Sequence, residues 1–139
     1  MPLVKSKKKK RKVRRPELIA FDKAWHWFSL YRRLGSSSCI TCGRFTPWEK
    51  RHAGHFKHAC MDFDERNVHM QCVGCNTFGG KKFGAGRGDV YAVEIVKRYG
   101  HEVLMELDRK SKIIHKYTLP ELEGYIKTYK AKVEELKNG

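Results

Sequence analysis

The spacing of the cysteines restricts the fold of this 139-residue chain more than any other feature does. Two CxxC pairs, Cys39 with Cys42 and Cys72 with Cys75, enclose a histidine-rich segment. A two-residue spacer lets each pair bind one side of a Zn²⁺ ion at about 2.3 Å, and two pairs complete a tetrahedron. Two disulfides or four core cysteines explain the pattern less well, because Cys60 makes the cysteine count odd and no signal peptide is evident. We therefore expect a structural zinc site with these four ligands.

The charge of the chain is strongly positive and unevenly distributed. Thirty Lys and Arg residues stand against fifteen Asp and Glu residues, for a net charge of +15, and nine basic residues with no acid lie between Lys5 and Arg15. Such a run is disordered when free and releases counterions when it binds a polyanion. We expect residues 1–15 to form a disordered basic tail and the partner to be a nucleic acid. No apolar run reaches membrane length, and free cysteines indicate a reducing compartment such as the cytosol.

The remaining residues, 16–139, are expected to form one domain. Apolar and aromatic side chains at spacings of three and four predict a first helix over residues 16–34, ending before Gly35. A core of short strands and turns follows over residues 39–88, and further helices follow over residues 89–137. Thr118 and Glu121 form a capping box with Pro120 between them, which predicts the start of the last helix.

Four histidines and one asparagine lie between the two cysteine pairs, a density that is hard to attribute to packing: His52, His55, His58, His69 and Asn67. A neutral imidazole can deprotonate water near pH 7, and a carboxamide or a second imidazole can bind a divalent cation. Phosphodiester hydrolysis requires this combination, together with cations that hold the nucleic-acid backbone. Alternation over residues 66–71 also predicts a strand whose polar face carries Asn67, His69 and Gln71.

Candidate nucleic-acid contacts lie on both sides of the second cysteine pair. The glycine-rich segment after Asn76 carries Lys81, Lys82 and Arg87, and it is either a flexible surface loop or a phosphate contact. Lys57 and His69 precede the pair, and His69 is either structural or directed at phosphate. The sequence leaves these alternatives open.

Three stretches of the sequence resemble a known family: Cys39-Ile40-Thr41-Cys42-Gly43, Ala53-Gly54-His55-Phe56, and Asn67-Val68-His69-Met70-Gln71-Cys72 with Cys75-Asn76. Together they resemble the NinG (Rap) recombination-protein family of lambdoid phages, which is regarded as a member of the HNH, or ββα-metal, nuclease superfamily. The similarity covers roughly Trp25 to Arg98. It implies an α+β fold in which a ββα-metal core, stabilised by the four-cysteine zinc site, is flanked by N-terminal and C-terminal helices.

The resemblance also implies roles for individual residues. His55 matches the general base on the first strand, and Asn67 matches an asparagine that holds the loop between the strands. Asn76 matches a ligand of a catalytic Mg²⁺ or Mn²⁺ ion. Sequences of the family resemble Asp-Ala-Gly-His where this chain has His52-Ala53-Gly54-His55, so His52 is the candidate second ligand.

An imidazole in place of a carboxylate predicts a preference for Mn²⁺, Ni²⁺ or Co²⁺ over Mg²⁺. Asp62 and Asp64 are the reserve ligands. His52 and His55 face opposite sides of a regular strand, so their convergence would require a bulge at Gly54.

These expectations combine into a metal-dependent DNA endonuclease that acts on branched DNA or Holliday junctions in the cytoplasm of the bacterial host. The branched substrate follows from the resemblance alone. Symmetric cuts at a junction would require a homodimer, with the first helix or the C-terminal helix as its interface. The alternatives are a zinc-finger DNA-binding protein without catalytic activity and an HNH nicking enzyme that acts on linear duplex DNA.

Overall fold

The computed structural model describes residues 13–58, 61–78 and 87–139. This part of the chain is a mixed α+β structure with four helices and one two-stranded sheet. Helix α1 is Pro16–Leu34, strand β1 is Arg51–His55 and strand β2 is Val68–Cys72. Helices α2, α3 and α4 are Gly88–Tyr99, His101–Ser111 and Leu119–Asn138. A 3₁₀ turn, Trp48–Lys50, precedes β1, and a π-helical turn, Gly74–Phe78, follows β2.

Local interactions near the helix ends account for the limits of α1 and for the start of α4. Pro16 occupies the first turn of α1, where its missing N–H costs nothing, and Arg32 and Arg33 occupy the last turn. At α4 the Thr118 side chain accepts from the Glu121 N–H, and the Glu121 carboxylate accepts from the Thr118 N–H, which completes the capping box.

The two strands form an antiparallel hairpin with uninterrupted pairing from Arg51 opposite Cys72 to His55 opposite Val68. Tyr91 of α2 reinforces the hairpin, because its buried hydroxyl accepts from His69 N–H at 2.9 Å and donates to Gly54 O at 2.8 Å. Burial strongly raises the pKa of Tyr91. The hydroxyl therefore stays protonated and can serve both bonds.

Two hydrophobic cores cover the two faces of the hairpin. The first joins α1 and α4 to one face and contains Phe28, Phe63, Val68 and Leu122. The second joins α2 and α3 to the other side and is centred on Tyr91, Ile95 and Leu107, all fully buried; Ile40 and Met61 complete it. Both cores hold β2 in the centre of the domain.

An ionic cluster ties the first core to the loop between the strands. Glu65 binds the Arg32 guanidinium, the Lys132 ammonium and the Tyr129 hydroxyl, at distances of 3.4, 3.1 and 3.1 Å. The Arg32 guanidinium also donates to Val68 O at 2.7 Å. Because these groups lie on α1, α4, β2 and the loop, the cluster fixes the position of the hairpin against both helices.

Two sequence expectations differ from this structure. The pairing is continuous through Gly54, so the bulge that would bring His52 and His55 to one side is absent. The alternating polar side chains are buried: Asn67 directly before β2, and His69 and Gln71 within it, are at most 4% exposed. The aromatic face of α1 packs against α4 and the sheet, and the homodimer stays a prediction.

Several expectations fall on residues 1–12, 59–60 and 79–86, which lie outside the described part of the chain. These include most of the predicted basic tail, together with Cys60, Lys81 and Lys82. Within the described ranges, no helix combines the length and the apolar character that crossing a membrane requires.

Candidate metal centre and adjoining cleft

The four cysteines of the two CxxC pairs meet at one point in the structure. Their Sγ atoms all lie within 4.8 Å of one another, and Cys42 Sγ is 3.9 Å from Cys72 Sγ. Tetrahedral zinc with Zn–S bonds of about 2.3 Å requires sulfurs about 3.8 Å apart. Cys39, Cys42, Cys72 and Cys75 are therefore close enough to hold a metal such as zinc, as the sequence predicts.

The backbone around the cysteines forms a matching pair of turns. In the first turn Gly43 N–H donates to Cys39 O at 2.9 Å, and Gly43 adopts a φ of 73°, a conformation that favours glycine. In the second turn Cys75 N–H donates to Cys72 Sγ at 3.4 Å. N–H groups aimed at sulfur stabilise the thiolate form that a metal requires.

The thiols of Cys39 and Cys75 have pKa values that are shifted in opposite directions. Burial raises the pKa of Cys75 to about 12. Burial also acts to raise the pKa of Cys39, but hydrogen bonds from its backbone neighbours and from the Thr41 hydroxyl outweigh it and lower this pKa to about 6. The arrangement therefore favours the thiolate of Cys39 at neutral pH, and a bound cation would stabilise the thiolate of Cys75.

His52 and Asn76 lie together immediately beside the cysteine cluster. His52 Nδ1 is 3.0 Å from the amide nitrogen of Asn76, which follows Cys75 in the π-helical turn. These two side chains line a cleft of about 270 Å³ whose other walls come from α1 and β1: Trp25, Ser29, Arg33, Arg51 and Ala53. The position of Asn76 is thus set by the same turn that carries a cysteine ligand.

Gly54 is required beside this cleft because other side chains occupy the space above it. A Cβ atom at Gly54 would overlap Gln71 Oε1, lie 2.7 Å from Gln71 Cδ and lie 3.0 Å from Asn76 Oδ1. Gln71 itself is fully buried and donates to Thr41 Oγ1 at 3.4 Å. Glycine therefore permits the close packing of β1 against the second cysteine turn.

His55 lies on the face of β1 that is directed toward α1. Its Nε2 is 3.1 Å from Asp62 Oδ1, and its ring stacks on Trp25 with centroids 4.8 Å apart. Tyr117 donates to the other carboxylate oxygen of Asp62 at 3.3 Å. The hydrogen bond from His55 is the main cause that lowers the pKa of Asp62, so Asp62 is ionised and accepts from the imidazole.

Asn67 holds the loop between the strands. Its amide donates to Lys57 O and Met61 O, at 2.9 and 3.1 Å, and its Oδ1 accepts from Lys57 N–H at 2.8 Å. The side chain is fully buried. These three bonds fix the ends of the segment that leads from His55 to Asp62.

The structure separates the predicted catalytic residues into two groups. His52 and Asn76 lie at the cleft, whereas His55 and Asp62 lie on the opposite face of β1. Trp25 contacts both groups, because it stacks on His55 and also lines the cleft. Asp62 binds His55 and Asp64 binds Arg66, so neither reserve carboxylate is at the cleft.

The predicted nucleic-acid contacts that the structure describes, His69, Lys57 and Arg87, lie in different surroundings. His69 is 4% exposed and its ring nitrogens lie 3.1 and 2.7 Å from the hydroxyls of Tyr91 and Tyr99, a position that does not fit a phosphate contact. Burial lowers the pKa of His69 to about 3, which keeps it neutral. Lys57 pairs with Asp108 of α3 at 3.2 Å. Arg87 lies beside Cys42 and Cys75.

Sequence reasoning missed three contributors to this region. The sequence patterns do not single out Trp25, Arg33 or Arg51 as residues that line a site. The guanidinium groups of Arg33 and Arg51 lie 5.1 and 5.7 Å from the centroid of the Trp48 ring. The contact between α1 and β1 joins distant parts of the chain, so it leaves little trace in the local sequence. The one local indication is that Arg51 directly precedes His52.

The family comparison agrees with the resemblance found in the sequence. A family model described as "Bacteriophage Lambda NinG protein" matches residues 3–139. "Protein ninG" of Escherichia phage 933W is 33% identical over 106 residues, which are 72% of this chain and 48% of that protein. The same segment is 32% identical to "Protein ninG" of Escherichia phage lambda and 31% identical to that of Salmonella phage P22, with the same coverage of both chains.

The chain spans about half the length of the curated relatives it matches. No solved structure matches it.

Proposed function

The chain belongs to the NinG family of bacteriophage lambda, and from this premise we propose that it is a metal-dependent DNA endonuclease of the HNH type that acts on branched recombination intermediates. The observation that supports the proposal most directly is the arrangement at β1. One side of this short strand carries an imidazole paired with a carboxylate, and the other carries an imidazole paired with a carboxamide beside a four-cysteine centre. Trp25 links the two sides, because its ring stacks on His55 and also lines the cleft that holds His52 and Asn76.

In this proposal His55 accepts a proton from the attacking water. Asp62 accepts a hydrogen bond from Nε2–H, so Nδ1 is the nitrogen left with a free lone pair. The stack on Trp25 fixes the plane of the ring, and Tyr117 fixes the carboxylate. Asn67 contributes by holding the loop that carries Asp62 in register with His55.

His52 and Asn76 are the residues that would hold a catalytic cation. Imidazole and carboxamide donors suit Mn²⁺, Co²⁺ or Ni²⁺ better than Mg²⁺, and no carboxylate is found among the described residues that line the cleft. When bound, such an ion would stabilise negative charge on the phosphate and on the leaving oxygen. Asn76 would present Oδ1 to it, which requires the amide plane to rotate from its present bond with His52.

Two arginines at the cleft would bind the DNA phosphate. Arg51 is held in place because its guanidinium donates to Thr46 O at 2.8 Å and to Arg33 O at 3.3 Å. Arg33 is positioned by the Ser29 carbonyl and hydroxyl. Guanidinium groups fixed in this way bind phosphate with little further loss of side-chain entropy.

The test is a cleavage assay on labelled linear, nicked, Y-shaped and four-way DNA with Mg²⁺, Mn²⁺ or EDTA. The proposal expects cleavage of branched DNA that is faster in Mn²⁺ than in Mg²⁺ and that stops in EDTA. His52→Asp restores a carboxylate and should raise the Mg²⁺ rate relative to the Mn²⁺ rate, whereas His101→Ala, at an exposed position on α3, should change neither. Equal rates in both metals for the wild type would contradict the role of His52.

A second candidate is a zinc-dependent DNA-binding protein without nuclease activity. It is favoured by one observation: the described lining of the cleft contains two arginines and no acid, which suits phosphate binding without a catalytic ion. Branched DNA that binds tightly and survives intact in every metal would support this candidate.

A further inference from the structure

A second cavity, of about 480 Å³, is lined in part by three of the four clustered cysteines, Cys42, Cys72 and Cys75. It adjoins the His52–Asn76 cleft, because consecutive residues line the two spaces at two separate places. Lys50 faces this cavity and Arg51 faces the cleft; Cys75 faces this cavity and Asn76 faces the cleft. A ligand that fills both spaces would therefore run continuously from one to the other.

Phe45 is the most unusual lining residue of this cavity. Its side chain is 71% exposed, and it belongs to neither hydrophobic core. The backbone around it is nevertheless well held, since Cys39 N–H donates to Arg44 O at 3.0 Å and Thr46 N–H donates to Ser37 O at 2.8 Å. A phenyl ring is thus presented to solvent on a fixed hairpin, which is how proteins offer a stacking surface to a base.

The charge of the cavity lining is positive. Arg44, Lys50 and Arg87 line it, and no acidic residue does so among the described residues. Neither Arg44 nor Lys50 forms an ion pair within the described part of the chain. A zinc ion with four thiolates carries net negative charge, and these cations offset it; that role, however, does not require an exposed aromatic ring beside them.

We propose that this cavity binds an unpaired nucleotide of a DNA strand, with its base stacked on Phe45 and its phosphate held by Arg44, Lys50 and Arg87. The inference rests on the proposed function for its choice of DNA as the partner. An unpaired nucleotide fits because a base inside a duplex has no free face for a phenyl ring. The adjoining cleft would then receive the neighbouring phosphate of the same strand.

The experiment measures DNA binding in EDTA, so that it does not depend on cleavage. Forked DNA with a single 2-aminopurine at its first unpaired position is titrated with the full chain, and both fluorescence quenching and anisotropy are recorded. Fully paired duplex, an RNA strand of the same sequence and free dAMP are run in parallel. The variants are Phe45→Ala, Phe45→Leu, Phe45→Trp and Lys50→Ala, and the control is Met105→Ala, which removes an exposed apolar side chain from α3.

The wild type and Phe45→Trp should quench the unpaired 2-aminopurine, and Phe45→Ala and Phe45→Leu should not. The two variants that lose the ring should bind forked DNA about tenfold more weakly and bind duplex as the wild type does. Lys50→Ala should weaken binding of both DNAs and lower the salt dependence, and Met105→Ala should change nothing. Zinc content and circular dichroism equal to those of the wild type confirm that each variant is folded.

Equal losses on forked and paired DNA in Phe45→Ala would overturn the inference, and so would tighter binding of the RNA strand or of free dAMP. Failure of the two proposals can be told apart. Quenching that depends on Phe45, in a protein that cleaves no DNA, would support this inference and refute the nuclease. Cleavage of branched DNA without such quenching would overturn this inference alone.

Discussion

Gly54→Ala tests the packing that joins β1 to the second cysteine turn. The new Cβ would overlap the end of the Gln71 side chain and press against Asn76 Oδ1 at 3.0 Å. Gln71 is fully buried and bonded to Thr41, so it cannot swing into solvent. We expect the substitution to reduce the free energy of unfolding, although Gly→Ala in a strand is favourable where space permits.

The magnitude follows from two opposing terms. Inserting a methyl group into a well-packed site costs about 1–3 kcal/mol. Replacing a strand glycine by alanine returns about 0.5–1 kcal/mol through backbone entropy. The two terms leave a net loss of about 0–2.5 kcal/mol, and the overlap with the buried Gln71 side chain places Gly54→Ala in the upper part of this range, at about 1–2.5 kcal/mol. Gly124→Ala is the matched control, because Gly124 is exposed on α4 with open space around it, and there the same change should stabilise by up to about 1 kcal/mol.

The assay is urea unfolding at fixed free zinc, followed by circular dichroism, for the wild type, Gly54→Ala, Gln71→Ala and the double variant. Shortening Gln71 removes the group that the new methyl would meet. In the Gln71→Ala background, Gly54→Ala should therefore be neutral or slightly stabilising, which gives a coupling energy of about 1–3 kcal/mol between the two positions. Additive effects, or a Gly54→Ala protein as stable as the wild type, would refute this packing argument.

Three further predictions concern the metal, the buried histidine and the carboxylate. Elemental analysis should find one zinc per chain in the wild type and in Cys60→Ser and none in Cys75→Ser, since four clustered sulfurs already complete a tetrahedral site. Because the pKa of His69 is lowered to about 3 in the folded state, the unfolded state binds more protons than the folded state between pH 3 and about 6.5. The free energy of unfolding should therefore be largest above this window and fall as the pH falls through it, by up to about 1.4 kcal/mol per pH unit. Urea unfolding at several pH values should show a weaker dependence of this free energy on pH for His69→Gln than for the wild type. An unchanged dependence would contradict the burial of a neutral imidazole. Asp62→Asn should reduce DNA cleavage at least about tenfold with zinc content unchanged, and full activity would remove Asp62 from the proposed mechanism.

Local sequence patterns were sufficient for the elements that local chemistry determines. Aromatic residues at helical spacing and the Thr118–Glu121 capping box identify two helices that the structure contains. The CxxC spacing identifies the cysteine cluster, because two residues between ligands leave little freedom in how each turn can fold. Each of these patterns involves residues that lie only a few positions apart in the chain.

The parts that sequence reasoning missed are determined by contacts between distant segments. Alternation places His69 on one face of β2, but only the arrival of Tyr91 and Tyr99 from α2 makes that face buried. The sequence predicts a bulge at Gly54 only as the condition for His52 and His55 to converge, whereas in the structure the side chain of Gln71 on the paired strand explains why position 54 is a glycine. Asp62 was considered as a metal ligand because its bond to His55 across the loop cannot be read from spacing.

The central claim is that His55 removes a proton from water in a metal-dependent cleavage of DNA. The most direct measurement is the single-turnover cleavage rate of four-way DNA in Mn²⁺ by the wild type and by His55→Ala, matched for zinc content and for DNA affinity. We predict a rate at least about 10²-fold lower for His55→Ala, because general-base catalysis contributes that much or more. Equal rates for the two proteins, or a wild type that binds this DNA and leaves it intact, would contradict the account.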